Sequence, residues 1–159
     1  MTDTDQPEDS DVNTSADSAP ELADVRTELD ELAAAVRVEA SPETLGPLWT
    51  ATMNLERWFF PGVGAFPNLR PFSGMIDEEP YVMAFTVRAR AERYAHTQNL
   101  VPEGSKPAIM SFPVVEAAKL CTRQHERGAR WVVFDDGWAG WRFPLQQLAA
   151  IVNKYHVPT

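Results

Sequence analysis

Cys121 and His125 come nearest in this chain to a nucleophile and its base. They are four residues apart, so in a helix both side chains lie on one face within contact distance. A histidine beside a cysteine can take the thiol proton and generate a reactive thiolate. Cys121, however, also falls on the apolar stripe of a helix predicted from Pro113 to about Arg127, where free cysteine behaves as a small hydrophobic residue. Because no third group is placed to orient the histidine, we predict that Cys121 belongs to the core.

Other kinds of chemical site are not indicated. The histidines at 96, 125 and 156 are scattered, whereas a zinc site needs several ligands at close, defined spacings. The acidic runs 77–79 and 135–136 fall in predicted turns, where carboxylates are common without any catalytic role. The glycine pairs precede neither the lysine nor the helix start that a phosphate-binding loop requires. The sequence therefore predicts no catalytic residue, no metal and no cofactor.

Three arginines, Arg88, Arg90 and Arg93, lie close together at the start of a predicted helix. Positive charge there opposes the helix dipole, so the cluster is unfavourable unless an acidic group meets it. Three interpretations are open: a solvated face, contact with the acidic N-terminal region, or contact with an anionic partner. The third makes a small anionic-ligand binder or an enzyme the alternative to a non-enzymatic function.

Aromatic residues near two loops are candidates for a protein-binding surface. Trp138 and Trp141 follow a predicted turn, and Phe66 and Phe72 lie in the proline- and glycine-rich loop 61–74. Tryptophan is enriched at the energetic centres of interfaces. Five tryptophans also suit a small core, where an indole nitrogen can reach a backbone carbonyl. Core and interface remain open for these residues, which we name as candidate interface residues.

The net charge of -9 belongs to the N-terminal region. Residues 1–43 hold 13 acidic and 2 basic side chains, and residues 44–159 hold 10 acidic and 12 basic ones. Residues 1–19 are almost devoid of apolar side chains and are predicted to be a disordered acidic tail. The remainder lacks the basic stripe typical of nucleic-acid binding. With one cysteine and no apolar run of the ~20 residues that span a bilayer, a cytoplasmic location without membrane contact is expected.

A heptad pattern follows the tail and predicts an amphipathic helix over residues 20–40. Its apolar positions, spaced 3, 4, 3 and 4 residues apart, are Leu22, Val25, Leu29, Leu32 and Val36. Two heptads are short for an independent coiled coil, which needs about three to four. The helix either packs against the rest of the chain or mediates self-association, and Leu29 and Leu32 are candidate interface residues.

The remaining residues, 41–159, predict one α+β domain. Several predicted strands are apolar on both faces and alternate with amphipathic helices, which is typical of a sheet covered by helices. The pattern predicts helices around 48–55, at 87–99, at 113–127 and from 144 onward. It predicts strands at 57–60, 81–85, 108–112, 130–134 and 138–143. We therefore expect a single mixed sheet of about four to five strands.

This order resembles the N-terminal domain of the SseB-like family, the serine-sensitivity enhancing protein B family. The resemblance covers roughly residues 44–155 and is carried by residues 48–61, by the strand 81–86 that ends in Phe-Thr before a helix, by residues 109–134, and by Phe143-Pro144-Leu145 at the last helix. Asp135-Asp136-Gly137 stands where the family has Asn-Pro. The resemblance implies a bacterial cytoplasmic domain without catalytic residues. We expect a protein-interaction or regulatory module that binds a protein partner or itself.

Overall fold

The computed structural model describes residues 22–102 and 104–158. The predicted disordered tail, residues 1–19, lies outside the described residues. Five helices are present in the described ranges: α1 Glu28–Val38, α2 Pro42–Met53, α3 Arg88–Thr97, α4 Val114–Glu126 and α5 Leu148–Tyr155. The strands are β1 Arg57–Val63, β2 Arg70–Pro71, β3 Ser73–Ile76, β4 Glu79–Ala84, β5 Ile109–Pro113, β6 Trp131–Phe134 and β7 Trp141–Pro144. The α+β class predicted from the sequence is confirmed.

The N-terminal helix is shorter than the heptad pattern predicts. A helical turn at 22–24 is followed by a break, and α1 begins at Glu28. The break coincides with a capping box, in which the Asp30 amide donates to Thr27 Oγ1 at 3.2 Å and the Thr27 amide donates to Asp30 Oδ2 at 2.9 Å. Such a reciprocal cap satisfies the free amides of a helix start. The heptad spacing thus continues across a break in the helix.

The strands are mixed in direction but divide into two sheets, where a single sheet of four to five strands is predicted. One sheet has the order β2-β1-β5 and the other β3-β4-β6-β7, with β4 and β6 parallel and the other pairs antiparallel. The sheets meet where Phe59 and Phe85 exchange backbone hydrogen bonds of 2.9 and 2.7 Å.

The predicted loop 61–74 supplies the additional strands. The Phe72 amide donates to the Pro61 carbonyl at 2.8 Å, and the Phe72 carbonyl accepts from the Met83 amide at 3.3 Å. Phe72 therefore lies where the chain leaves the β1–β2 hairpin and enters the β3–β4 hairpin. The prolines of residues 61–74 suggest a loop because proline has no backbone N–H to donate to a sheet. Proline is nevertheless tolerated at strand ends and at sheet edges.

Both faces of the second sheet are covered, which explains the fully apolar strands. Val82 and Ala84 face the larger core, which contains residues of α1, α2, α4 and α5. Tyr81 and Met83 face a second cluster with Ala91 and Tyr94 of α3. Alternate strand residues point to opposite faces, so a strand covered on both sides loses its polar alternation. Because β4 and β6 are parallel, their carboxyl ends lie side by side.

Candidate functional site

The candidate site is built on two residues at these carboxyl ends. Thr86 follows β4 by two residues, and Asp135 follows β6 directly. The Asp135 side chain is fully buried and accepts hydrogen bonds from the Thr86 amide at 2.9 Å and the Thr86 hydroxyl at 2.7 Å. The two strand ends are therefore tied together by a buried carboxylate.

Arg90, in the first turn of α3, binds the Asp135 carboxylate. It also binds residues 23–30, which precede the rest of the described chain. Its Nη1 donates to Asp135 Oδ2 at 2.9 Å and to Asp30 Oδ1 at 2.8 Å. Its Nη2 donates to Asp30 Oδ2 at 2.6 Å and to the Val25 carbonyl at 3.1 Å, and its Nε donates to the Ala23 carbonyl at 2.9 Å. These bonds engage all five guanidinium N–H donors, and the side chain is almost completely buried.

A second ion pair lies beside the first and is more exposed. Arg93 donates from Nη1 and Nη2 to the two carboxylate oxygens of Asp24, at 2.6 and 3.0 Å. The Trp138 indole nitrogen donates to the same Asp24 carboxylate at 3.3 Å. The Trp138 ring lies 5.1 Å from the Arg90 guanidinium carbon and 5.6 Å from that of Arg93. Trp138 thus covers both cations, an arrangement that favours cation–π attraction.

Arg88 does not join this cluster. It lies 3.9 Å from Glu92 on the solvent side of α3, and its guanidinium carbon lies 5.7 Å from the Phe59 ring centre. The predicted group of three arginines is therefore divided. Arg90 and Arg93 contact acidic residues of the N-terminal region, which is the second of the three interpretations left open by the sequence.

The charges of the cluster shift the pKa values of its members. Burial acts to raise the pKa of Asp30, but hydrogen bonds from Arg90 and Thr27 outweigh it and leave that pKa below its usual value. Burial raises the pKa of Asp135, against the opposing effects of Thr86 and Arg90. Burial also acts to lower the pKa of Arg90, but Asp30 and Asp135 outweigh it and raise that pKa. Arg90 is therefore held charged between two carboxylates.

Two of the candidate interface residues are core residues. Trp141 is 8% exposed and stacks on Phe134, with ring centres 5.7 Å apart and planes 10° apart. Leu29 is also buried, and it shares a core cluster with Trp141 and Ala33. Of the alternatives that the sequence leaves open, Trp141 and Leu29 take the core position, because α1 packs its apolar face on the rest of the chain. Leu32 is half-buried against the same cluster.

The other candidate aromatics have separate environments. Trp138 is half-buried over the arginines. Phe72 is also half-buried, with its ring centre 5.8 Å from that of Tyr94. Phe66 is 90% exposed in the loop between β1 and β2. Phe66 is therefore the member of the predicted set that is fully available to solvent.

Sequence reasoning missed the two carboxylates that pair with Arg90. The sequence places Asp135 in a predicted turn, and Asp30 lies outside the apolar heptad positions. A weak signal exists in both cases: Asp135 follows the apolar strand β6 directly, and Asp30 is the N3 residue of the capping box at Thr27. Neither signal points to Arg90, which is 60 residues from Asp30 and 45 from Asp135.

The Cys121–His125 pair is not arranged for nucleophilic chemistry. Cys121 is fully buried, and burial raises the pKa of its thiol to about 12. His125 Nδ1 lies 2.8 Å from the Ala129 carbonyl, which can only accept, so Nδ1 carries the proton. The histidine is thus oriented by a carbonyl in the turn that follows its helix.

Cys121 is expected to be unreactive toward a thiol reagent such as DTNB in the native protein at pH 8 and fully reactive in guanidinium chloride. The unfolded thiol ionises near its ordinary pKa of 9.0, whereas the folded thiol ionises near 12. Rising pH between these values stabilises the unfolded state, so the free energy of unfolding should fall by up to about 1.4 kcal/mol per pH unit. Rapid native labelling would contradict the burial of Cys121.

A cleft of about 590 Å³ lies at the opposite ends of β4 and β6. Its lining includes Glu79, His125 and Trp131. The Trp131 indole donates to Glu79 at 2.6 Å, and the Arg142 guanidinium carbon lies 4.1 Å from the Trp131 ring centre.

In residues 22–102 and 104–158, no group of three or more His, Cys, Asp or Glu side chains could hold a metal ion. No helix in those ranges has the length and apolar character needed to cross a membrane.

The Arg90 cluster is therefore the site with the most complete set of mutually oriented polar groups. It joins residues 22–38, hereafter the N-terminal segment, to residues 41–158, hereafter the body. Comparisons of the chain with protein-family models, with curated proteins and with solved structures gave no match, so membership of the SseB-like family stays a prediction.

Proposed function

We propose that the chain is a non-enzymatic protein-interaction module of the bacterial cytoplasm, of the SseB-like type, and that it recognises a protein segment at the body surface around Arg90, Trp138 and Trp141. One observation carries the proposal. This surface already holds a helical segment of the chain, which satisfies four of the five Arg90 donors and leaves the fifth to Asp135.

The contact has the composition of a protein–protein interface. Arginine and tryptophan dominate the energetic centres of interfaces, and here Arg90 and Trp138 lie against each other at 5.1 Å. An apolar part formed by Leu29 and Ala33 lies beside the ion pairs, in one cluster with Trp141. Complementary charges across such a contact contribute mainly specificity and a faster association rate.

The position of the surface in the sheet supports the same proposal. In open sheets with parallel strands, ligands bind outside the carboxyl ends of the strands. Thr86 and Asp135 mark these ends in β4 and β6, and the N-terminal segment contacts them through Arg90. The chain's own segment thus lies where a ligand of such a sheet would bind.

The alternative function, a small anionic-ligand binder or an enzyme using Arg88, Arg90 and Arg93, has less support. A small anion supplies no peptide carbonyls to replace those of Ala23 and Val25, and while the N-terminal segment is bound all the Arg90 donors are engaged. Two carboxylates, from Asp30 and Asp135, already face this one cation. A further anion would meet excess negative charge.

The proposal is tested by converting the intramolecular contact into an intermolecular one. A protease recognition sequence is inserted between Glu39 and Ala40, which are exposed, and the folded chain is cleaved there. A fluorescently labelled peptide of residues 22–38 should then exchange into the site, which raises its anisotropy. Before cleavage the attached segment competes at an effective concentration in the millimolar range for a short linker, so uptake should be small.

Two body variants provide the matched comparison. Trp138→Ala should weaken peptide binding to the cleaved chain by roughly tenfold or more, because large aromatic anchors dominate such contacts. Phe66→Ala removes an aromatic ring from an exposed loop and should leave binding unchanged. If the cleaved chain stays folded by circular dichroism and takes up no peptide, the proposal fails. Equal binding by both variants would also contradict this location of the surface.

A further inference from the structure

The groups that the body presents to the N-terminal segment restrict what else could bind there. Within the cluster, the body contributes Arg90, Arg93 and Asp135, and the segment contributes Asp24 and Asp30. The body side of the cluster thus carries one net positive charge. An occupant without a carboxylate would leave unpaired the two Arg90 N–H donors that now bind Asp30, which is costly in the interior.

A segment that binds Arg90 in this geometry must supply peptide carbonyls as well as a negative charge. Asp30 binds it with both oxygens, while the Ala23 and Val25 carbonyls fill the remaining donors on the segment side. These carbonyls come from the non-helical stretch that precedes α1 and from the turn before it. A planar fork of this kind matches a carboxylate held in a fixed orientation. A phosphate group offers no adjacent peptide carbonyls.

The capping box fixes the orientation of the Asp30 carboxylate independently of Arg90. Asp30 Oδ2 accepts from the Thr27 amide at 2.9 Å while it also accepts from Arg90 Nη2 at 2.6 Å. The carboxylate is therefore at position N3 of a helix whose cap is Thr27. A segment with Ser or Thr three residues before an acid at a helix start presents the same arrangement.

The outer part of the segment leaves room for a different occupant. Leu22 and Val25 are 57% and 55% exposed, although they are apolar. They border a groove of about 390 Å³ whose other walls include Val87, Ala89 and Glu92. A partner with larger apolar side chains at these two positions would cover more apolar surface than the resident segment does.

We infer that the partner of this surface is an acidic, helix-forming protein segment with a Ser/Thr-x-x-Asp start, which displaces residues 22–38 from Arg90. The inference rests on the proposed function and specifies its partner. The N-terminal segment is then an autoinhibitory occupant, and its carboxylate at position 30 is the feature that a partner must reproduce.

The test uses the cleaved, complete chain and a set of competing peptides of residues 22–38. Asp30→Asn removes the carboxylate that binds Arg90 and should weaken competition by roughly 100-fold or more. Glu31→Gln removes the same charge from an exposed side chain that lies 3.5 Å from Arg26, and it should change competition by less than about twofold. Thr27→Ala removes the cap hydroxyl and should cost about fivefold.

The outcomes separate this inference from the proposed function. If the Asp30→Asn peptide competes as well as the native peptide, the surface still recognises a segment but the inference is overturned. Equal losses of competition for the Asp30→Asn and Glu31→Gln peptides would indicate that the surface responds only to the net charge of the peptide. That result would also overturn the inference. Displacement of the native peptide by inorganic polyphosphate at similar charge concentration would assign the site to anions in general. If no peptide competes, the proposed function fails as well.

Discussion

Arg90→Ala is expected to lower the free energy of unfolding by about 3–5 kcal/mol, the usual cost of removing one partner of a buried ion pair. The substitution leaves the carboxylates of Asp30 and Asp135 in the protein interior without their cation. It also removes the hydrogen bonds that hold the N-terminal segment through two main-chain carbonyls. Urea unfolding followed by circular dichroism measures the change.

Two neighbouring substitutions define the specificity of this effect. Arg88→Ala removes a cation that is two residues away and exposed, 3.9 Å from Glu92, so it should cost less than about 0.5 kcal/mol. Arg90→Lys keeps the charge but loses the planar fork, so its stability should fall between those of wild type and Arg90→Ala. A cost below about 1 kcal/mol for Arg90→Ala would show that the buried carboxylates do not depend on this arginine.

Phe134→Ala is expected to lower the free energy of unfolding by about 3–5 kcal/mol, the range found for buried aromatic residues. Phe134 is fully buried at the end of β6. Its ring centre lies 4.8 Å from that of Trp58 and 5.7 Å from those of Trp141 and Phe143. Removing the ring leaves a cavity among three aromatic side chains, which relax only partly into it.

Chemical unfolding measures this loss, and the same experiment should show altered tryptophan fluorescence because two indole rings lose a neighbour. Phe66→Ala is the matched control, since the same ring is removed from a side chain that is 90% exposed. Its cost should stay within about 0.5 kcal/mol. A cost below about 2 kcal/mol for Phe134→Ala would indicate that the core closes around the deleted ring.

Much of the fold could be predicted because its signal is local. The run 81–85 is apolar without alternation, which indicated an interior strand, and β4 is covered on both faces. The stripe that includes Cys121 indicated a helix face directed inward, and Cys121 is buried. The β2 and β3 strands were not predicted, because Pro71 and Gly74 weaken the local strand signal and pairing with β1 and β4 overrides it.

The candidate site could be predicted only in part. The arginines at the start of α3 and the acidic character of the N-terminal region were both visible, and their contact was one of three interpretations. The heptad pattern suggested an apolar face, which does pack on the body through Leu29 and Ala33. The pattern gave no reason to separate Arg88 from Arg90, since both lie in the same helical turn and differ only in the face they present.

The sequence by itself determined the distribution of charge, the alternation of apolar elements that gives the α+β class, and the core position of Cys121, since each depends on neighbouring residues along the chain. Only the tertiary structure decided that Arg90 binds Asp30 and Asp135, which are 60 and 45 residues away. The physical reason is that the parallel pairing of β4 with β6 brings Thr86 beside Asp135, and α3 then directs one arginine to the point where the N-terminal segment crosses. Ion pairing in the interior depends on such distances in space, which local patterns in the sequence do not contain.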